Sequence, residues 1–413
     1  MNVESMRMML DATAMRARIA ELPAFADVGN WPVEVAALWV KPGRHFNVHY
    51  RLESPSGELR RVSAFLLDPA HAARVAEASS THTCAGRPNA ACLACGTCAL
   101  NESVVLQAFP ADYRLPTLGR CLDPESVNRA LDGAFDVHSA TLRAYRPGTR
   151  CQIRFVAGDD RAAYGKVSFE RRGAGHALET HRKLHSALGR SVGTIEIARP
   201  IAYVGDLRLS LVDELDGTSF HDLASAGERP VVHAGGAARA LGALHAVTGI
   251  DLDRAFTASD EADLVSDWSR FTGVLFPVLR PRLEHAERKI RATMPAAAES
   301  SAVLHRDFHD KQVLCREGRA SALLDMDTAA SGDRELDVAN FSAHLRLRSI
   351  QHGRGDDYRA LDSAFTDAYP GRLDSKRLGW YRTTTLVRLA CSYALRPQWR
   401  DVATSVLELA SEG

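Results

Sequence analysis

The sequence predicts an α+β protein with two lobes. Three observations carry that prediction: period-two alternation between about Ala134 and Phe169, helical patterning from Leu215 onward, and acids set between short apolar runs from Val303 to Asp327. Domain boundaries follow from these shifts in character. Residues 1–130 form an N-terminal extension, 131–215 a strand-rich lobe, and 216–413 a helical lobe.

In the strand-rich lobe, VHSATLRAYRPG and TRCQIRFVAGDDRAAYGKVSFE alternate apolar and polar residues, broken at Arg146-Pro147-Gly148 and at Gly158-Asp159-Asp160. Such breaks place turns between antiparallel strands. GHALETHRKLHSALG then reads as a helix closed by Gly189. Two short strands span Ile195 to Glu214 around a Gly-Asp turn, and the segments after Leu215, including VVHAGGAARALGALHAVTG, carry helical spacing.

The extension repeats part of this pattern. LWVKPGRHFNVHYRL (Leu38–Leu52) lies over RAYRPGTRCQIRFV at an offset of about 105, matching Pro42 with Pro147, Gly43 with Gly148 and Tyr50 with Phe155. Two unrelated hairpins with Pro-Gly turns are the alternative. The same offset pairs Val62 with Val167 and His71 with His176, which favours a duplicated hairpin-plus-helix unit.

Of the 413 residues, 46% are hydrophobic and 25% charged, with Lys plus Arg and Asp plus Glu balanced at 51 each. That suits ordinary globular cores and argues against a nucleic-acid partner. Charges at Glu4, Asp11 and several Arg interrupt any leader-like apolar run, and no stretch has the length of a membrane span. A cytoplasmic protein without a membrane partner is the expectation. Four of the eight cysteines crowd into Cys84, Cys92, Cys95 and Cys98. Their spacing suits a structural Zn²⁺; an iron–sulfur or redox role and an unliganded loop are the other readings.

LHRDFHDKQVL (Leu304–Leu314) and ALLDMDTAASGD carry the chemistry. Asp307, Gln312, Asp325 and Asp327 emerge between apolar segments, so their carboxylates and amide sit at the ends of buried strands rather than in solvated turns. Phosphoryl transfer needs such a set: one carboxylate to take the proton of an attacking hydroxyl, and oxygen donors to hold Mg²⁺ on the phosphates.

At these residues the chain resembles the aminoglycoside phosphotransferase and choline kinase family, which has a protein-kinase-like two-lobed fold. The family's loop is H-x-D-x-x-x-x-N followed by a metal-binding Asp. The resemblance spans roughly Ala134 to Leu345 and implies an ATP- and Mg²⁺-dependent transfer to a small-molecule hydroxyl. It makes Asp307 the catalytic base, Asp325 and Asp327 Mg²⁺ ligands, and His305 and Asp337 structural supports of the loop. Gln312 stands where the family has Asn, one methylene further from the backbone. A nucleotide-binding pseudokinase, or a member that transfers AMP to protein, is the alternative.

Lys166, one of six lysines, fills the place of the family's phosphate-pairing Lys, and Glu179 on the next helix that of its partner. Asp213, Glu214 and Leu215 resemble the hinge that meets adenine. No Gly-rich phosphate loop is present; Arg146–Arg150 occupies its place, so the turn and the Arg150 side chain would meet the phosphates. The offset sets Arg61 at the Lys166 position and Arg74 at the Glu179 position, which makes the extension a degenerate copy. Acceptor contacts are expected from His309, Asp310, Lys311, Asp333 and His344. This mixed-sign set favours a sugar or natural-product alcohol over a polycation.

Overall fold

In the computed structural model of the protein, residues 2–412 are described apart from 22–24, 26, 27, 30, 81–96, 170, 190–194, 229, 298–300 and 318–320. The extension contains α1 (Val3–Leu10), α2 (Ala12–Ala20), β1 (Val33–Lys41), β2 (His45–Glu53), β3 (Leu59–Leu66), α3 (Pro69–Ser80), β4 (Thr97–Ala99), β5 (Val104–Ala108), α4 (Leu118–Cys121) and α5 (Pro124–Leu131). Next come β6 (Val137–Arg146), β7 (Arg150–Ala157), β8 (Ala162–Ser168), α6 (Arg171–Leu188), β9 (Ile195–Ile197), β10 (Pro200–Val204) and β11 (Leu209–Asp213). The remainder holds β12 (Thr218–Ser219), α7 (Phe220–Ser225), α8 (Val231–His245), β13 (Ala255–Phe256), α9 (Ala258–Leu275) and α10 (Arg280–Ala292). It continues with β14 (Ala302–Leu304), β15 (Val313–Cys315), β16 (Ser321–Leu323), β17 (Ala330–Gly332), α11 (Glu335–His352), α12 (Gly355–Ala368), α13 (Ser375–Ala394) and α14 (Arg400–Glu412).

Contacts divide the chain into two compact units, Met1–Gly175 with Ile201–Leu211, and His176–Pro200 with Val212–Gly413. The sequence boundary at residue 130 therefore falls inside one unit. The extension and the second sheet share it because polar side chains of β2 grip the β6–β7 hairpin.

The first unit holds two five-stranded sheets, ordered β1-β2-β3-β5-β4 and β10-β11-β8-β7-β6. On β2 the alternation is used on both faces. Phe46, Val48, Tyr50 and Leu52 are buried, with the Tyr50 hydroxyl donating to the Met9 carbonyl, while the buried Asn47 and His49 face the other way. Asn47 Nδ2 donates to the Pro147 carbonyl at 2.9 Å, and the His49 ring packs edge-on against Tyr145 with centroids 4.9 Å apart. In the second sheet, Cys151, Ile153, Phe155, Ala163, Val167, Leu209 and Leu211 form the core. Gly165 on β8 is required by packing: a Cβ there would stand 2.3 Å from Phe155 Cε2 and 2.9 Å from Leu209 Cδ1.

The two hairpins compared in the sequence have equal three-residue turns, Lys41 pairing with His45 and Arg146 with Arg150, each with a glycine at positive φ (Gly43, +73°; Gly148, +67°). Beyond them the copies diverge. Asn47 pairs with Phe65 on β3, whereas Gln152 pairs with Lys166 on β8. The last pair of the first hairpin is Glu53 with Leu59 and of the second Val156 with Ala162, so the first continues past the point where the second turns. A constant offset fails across that difference. The fully buried Phe65, not Arg61, stands at the place of Lys166, which also removes the basis for matching Arg74 with Glu179.

The second unit has its own core, built around α8, α9, α11 and α13 and including Phe220, Phe308, Phe341 and Phe365. Small sheets position its loops: β12-β15-β16-β9, and β13-β17-β14. Among the described residues no helix is long and apolar enough to cross a membrane.

His49 supplies a pH test of the first unit. Burial, aided by the Arg61 charge, pushes its pKa down to about 3 from an ordinary 6.5. The folded chain thus keeps the ring neutral while the unfolded chain protonates it, so stability is full above the ordinary value and is lost as pH falls. Urea unfolding at pH 7, 6 and 5 is expected to show a loss approaching about 1.4 kcal/mol per pH unit from this group. His49→Gln should flatten that dependence.

Candidate active site

The loop after β14 is held from beneath. The buried Asp337 carboxylate, in the first turn of α11, accepts the backbone N–H of His305 at 2.7 Å and that of Arg306 at 2.7 Å. The His245 ring lies 3.1 Å from the same carboxylate. These contacts hold Arg306 in the left-handed region at φ +69°. Arg306 lays its guanidinium over the Phe256 ring, 3.8 Å from the centroid.

His305 ties this loop to the segment bearing Asp325. Its Nε2 lies 2.7 Å from the Leu324 carbonyl, so the ring carries its proton there, and its Nδ1 faces the Asp307 N–H at 3.3 Å. Thr328 Oγ1 donates to the His305 carbonyl at 2.8 Å, and the Leu324 N–H donates to the Gln312 carbonyl at 2.9 Å. Since β15 also pairs Val313 with Leu323, Gln312 lies opposite Leu324, next to Asp325. Asp325 itself has φ +60° and starts a 3-10 turn over Met326–Thr328 containing Asp327. Asn340 Nδ2 donates to the Phe308 carbonyl at 2.8 Å and closes the loop. The Asp307 side chain remains 47% exposed, so the loop presents it to solvent.

A family model described as "Phosphotransferase enzyme family" matches residues 153–372, just over half of the chain. The chain belongs to the phosphotransferase enzyme family. This phosphotransferase is similar in fold to a thermostable mutant of aminoglycoside phosphotransferase APH(4)-Ia in its apo form, with 15% identity and a TM-score of 0.53. That likeness covers 70% of this chain and 97% of the other. Aminoglycoside phosphotransferase APH(4)-Ia itself matches with 17% identity and a TM-score of 0.50, covering 70% and 96%. A comparison with curated proteins finds no match. The fold is α+β and protein-kinase-like, and the family is one of phosphotransferase enzymes.

In this phosphotransferase, α11 is the element that sequence reasoning undervalued. Asp337, Asn340, His344 and Arg348 recur at helical spacing and form a polar stripe on a helix whose other faces are also buried. Arg348 Nε donates to Asp310 Oδ2 at 2.9 Å, and His221 Nδ1 lies 2.6 Å from the same oxygen. Hydrogen bonds from His221 and His309 and the Arg348 charge hold the Asp310 carboxyl well below its ordinary range, against its burial. Arg348 also donates to the Tyr393 hydroxyl and to Gln351. The three- and four-residue spacing of Asp337, Asn340, His344 and Arg348 along one helix was the available signal.

The expected acceptor residues divide. His309 and Lys311 lie at the loop, His309 largely buried with its ring stacked on His344 at 4.5 Å and Lys311 exposed. Asp310 is 1% exposed, and both its oxygens already serve Arg348 and His221 or face His309. Asp333 is likewise buried, between the Arg377 guanidinium and the Tyr381 hydroxyl. Asp310 is therefore turned from a ligand contact to an internal partner, because both oxygens of its buried carboxylate are engaged, whereas the two donors on Asp333 both meet Oδ2. His344 is kept neutral, burial pushing its pKa well down, and its Nδ1 has no hydrogen-bond partner. The nearest donor atoms of His309, Asp310 and His344 lie within 4.8 Å of one another, but the Arg348 cation on Asp310 disfavours a metal there.

In the first unit, Lys166 lies on β8, the central strand of its sheet, on the face opposite the buried Ala163, Gly165 and Val167. Arg150 opens β7 and pairs with Arg146 and Ser168. The backbone N–H groups of the 146–150 turn are engaged within the protein. Pro147 has no N–H, the Gly148 N–H donates to Asp112 Oδ2 at 2.6 Å, and the Thr149 N–H donates to the Arg146 carbonyl at 3.0 Å. In the second unit, Glu179 is exposed on α6 with Arg182 3.5 Å away. The Asp213 N–H donates to the Arg199 carbonyl and its carboxylate accepts from Arg199 Nε. Cys84, Cys92 and Cys95 lie outside the described residues; Cys98, on β4, is a free cysteine.

Arg348→Met leaves the buried Asp310 charge uncompensated. It is expected to cost about 3–5 kcal/mol in chemical denaturation. The double variant Arg348→Met/Asp310→Asn should recover part of that loss, because the unpaired charge goes with its partner.

Proposed function

We propose that the protein is an ATP- and Mg²⁺-dependent O-phosphotransferase acting on a hydroxyl of a small molecule, a sugar or natural-product alcohol. The observation that supports this most is the braced loop: Asp307 is presented half-exposed while Asp337, Asn340 and Thr328 fix the backbone around it. A general base works only when its position is set before substrate arrives.

In this reading the Asp307 carboxylate accepts a hydrogen bond from the acceptor hydroxyl and orients its lone pair along the line of attack. The acceptor oxygen bonds to the γ-phosphorus, the bond from that phosphorus to the bridging oxygen breaks, and ADP departs. The hydroxyl proton passes to Asp307. The ammonium of Lys166 and the guanidinium of Arg150 serve the nucleotide phosphates, with Glu179 as the partner of Lys166. The amide oxygen of Gln312 and the carboxylates of Asp325 and Asp327 form an all-oxygen donor set that suits Mg²⁺. Bound there, the ion supplies neutralisation of the phosphate charge. His305 and Asp337 act through the loop rather than on substrate. His309 and Lys311 flank Asp307 on the acceptor side, and their mixed polarity favours a neutral or partly anionic alcohol.

Incubation with Mg-ATP and a panel of sugars, aminoglycosides and nucleosides is expected to give acceptor-dependent ADP. Asp307→Asn should lower that rate roughly 10²- to 10⁴-fold while leaving thermal stabilisation by ATP in place. Failure of every acceptor, with Asp307→Asn indistinguishable from the parent, overturns the reading.

One observation favours a second reading, a nucleotide-binding pseudokinase. Gln312 places its amide one methylene further from the loop than Asn would. Stabilisation by ATP that ignores Mg²⁺ and survives Asp325→Ala would support binding without turnover.

A further inference from the structure

The turn at Arg146–Arg150 and its counterpart at Lys41–His45 have the same length and the same glycine geometry, but opposite surroundings. Around Gly43 nothing lies within 4 Å of a would-be Cβ, and the residue is exposed. Pro147 and Gly148 are buried, and a Cβ on Gly148 would meet Asn47 Nδ2 at 2.9 Å, Phe65 Cε1 at 3.2 Å and Arg114 Cδ at 3.3 Å. All three neighbours belong to the extension.

Asp112 is the centre of that contact. It is 4% exposed, and its two oxygens accept four hydrogen bonds. Oδ2 takes the Gly148 N–H at 2.6 Å and the Tyr145 hydroxyl at 2.8 Å, while Oδ1 takes the amides of Arg114 at 2.9 Å and Leu115 at 3.2 Å. One carboxylate therefore joins the loop after β5 to the tip of β6–β7. Asn47 grips the Pro147 carbonyl from a second strand, and Arg114 covers the Phe169 ring with its guanidinium 3.5 Å from the centroid. The carbonyl and the N–H of the Pro147–Gly148 peptide, one acceptor and one donor, are both taken by the extension.

We propose that Asp112 is a positioning residue for nucleotide binding: it docks the 146–150 turn onto the extension, fixing the turn and leaving phosphate recognition to side chains. This rests on the phosphotransferase reading, in which that turn belongs to the nucleotide end of the first unit. The extension thereby acquires a role that its lost lysine position does not provide. A turn fixed in advance has no ordering to undergo when nucleotide arrives, and a turn released from Asp112 must lose that freedom on binding.

Hydrogen exchange on the full-length protein tests the docking directly. The Gly148 amide should be protected in the parent, unlike the 42–44 turn, and should exchange rapidly in Asp112→Ala while amides of β7 and β3 stay protected. Kinetics test the positioning. Asp112→Ala should raise KM for ATP roughly tenfold, leave KM for the acceptor unchanged and alter kcat little. Asp112→Asn, which keeps an acceptor oxygen for Gly148, should recover most of the nucleotide KM. Asn47→Ala, which removes only the second grip, should raise it less.

A Gly148 amide that exchanges in the parent as fast as the 42–44 turn overturns the docking. So does release of β3 and β7 together with the turn in both Asp112→Asn and Asn47→Ala, because the contact would then be only part of the general core. Normal docking with an unchanged nucleotide KM in Asp112→Ala overturns the positioning while the phosphotransferase reading stands. A parent that uses no nucleotide at all overturns that reading and the positioning with it, and exchange still decides the docking.

Discussion

The Asp337 carboxylate is the contact on which the loop after β14 depends. Two adjacent amides, those of His305 and Arg306, point inward at the end of a three-residue strand, where no further strand pairing is available to them. Buried amides without acceptors are costly, and a charged acceptor makes shorter, stronger bonds than a carbonyl. One carboxylate satisfies both and holds Arg306 at a backbone angle that a non-glycine residue seldom adopts. Everything downstream, from the half-exposed Asp307 to the Gln312 segment, takes its position from that bend.

The same helix explains why charge is tolerated beside the loop. The polar stripe of α11 puts Asp337 under the start of the loop, Asn340 under its middle and Arg348 under Asp310. Buried ions are stable only with nearby partners and filled hydrogen-bonding capacity. Arg348 meets that condition through Asp310, Gln351 and Tyr393, and Asp310 through Arg348 and His221. The resulting frame is stiff because breaking any one member strands another.

The extension shows how two hairpins with alike turns are put to different uses. Its sheet retains the strand–turn–strand–strand–helix order of the second sheet, but its hairpin extends further and a buried Phe65 stands at the place of Lys166. The face of β2 that carries Asn47 and His49 is turned to the neighbouring hairpin: Asn47 bonds the Pro147 carbonyl there, and His49 packs its ring on Tyr145 while its Nδ1 meets Ser63 of the adjacent β3. The Pro-Gly turns are the feature the two hairpins share in sequence. The change in hairpin length hid the true register, since equal spacing cannot report how far two strands run before they turn back.

The α+β class, the two hairpins with their turns and the acid set of the loop were determined by the sequence alone, because they rest on local periodicity, glycine and proline positions and short-range spacing. His305, Asp307, Gln312 and Asp325 could be read because they lie within one strand–loop–strand segment. Only tertiary structure decided which of the neighbouring polar residues face inward. Asp310 and Asp333 look like surface acids in a string of letters, and Arg348 and Asn340 look like ordinary helix residues. Their partners, His221, Arg377, Tyr381 and Phe308, come from distant parts of the chain. Burial and pairing are properties of the packed unit, so the fate of the Gly148 amide was equally beyond the reach of local pattern: its acceptor lies 36 residues earlier, in a loop with no motif of its own.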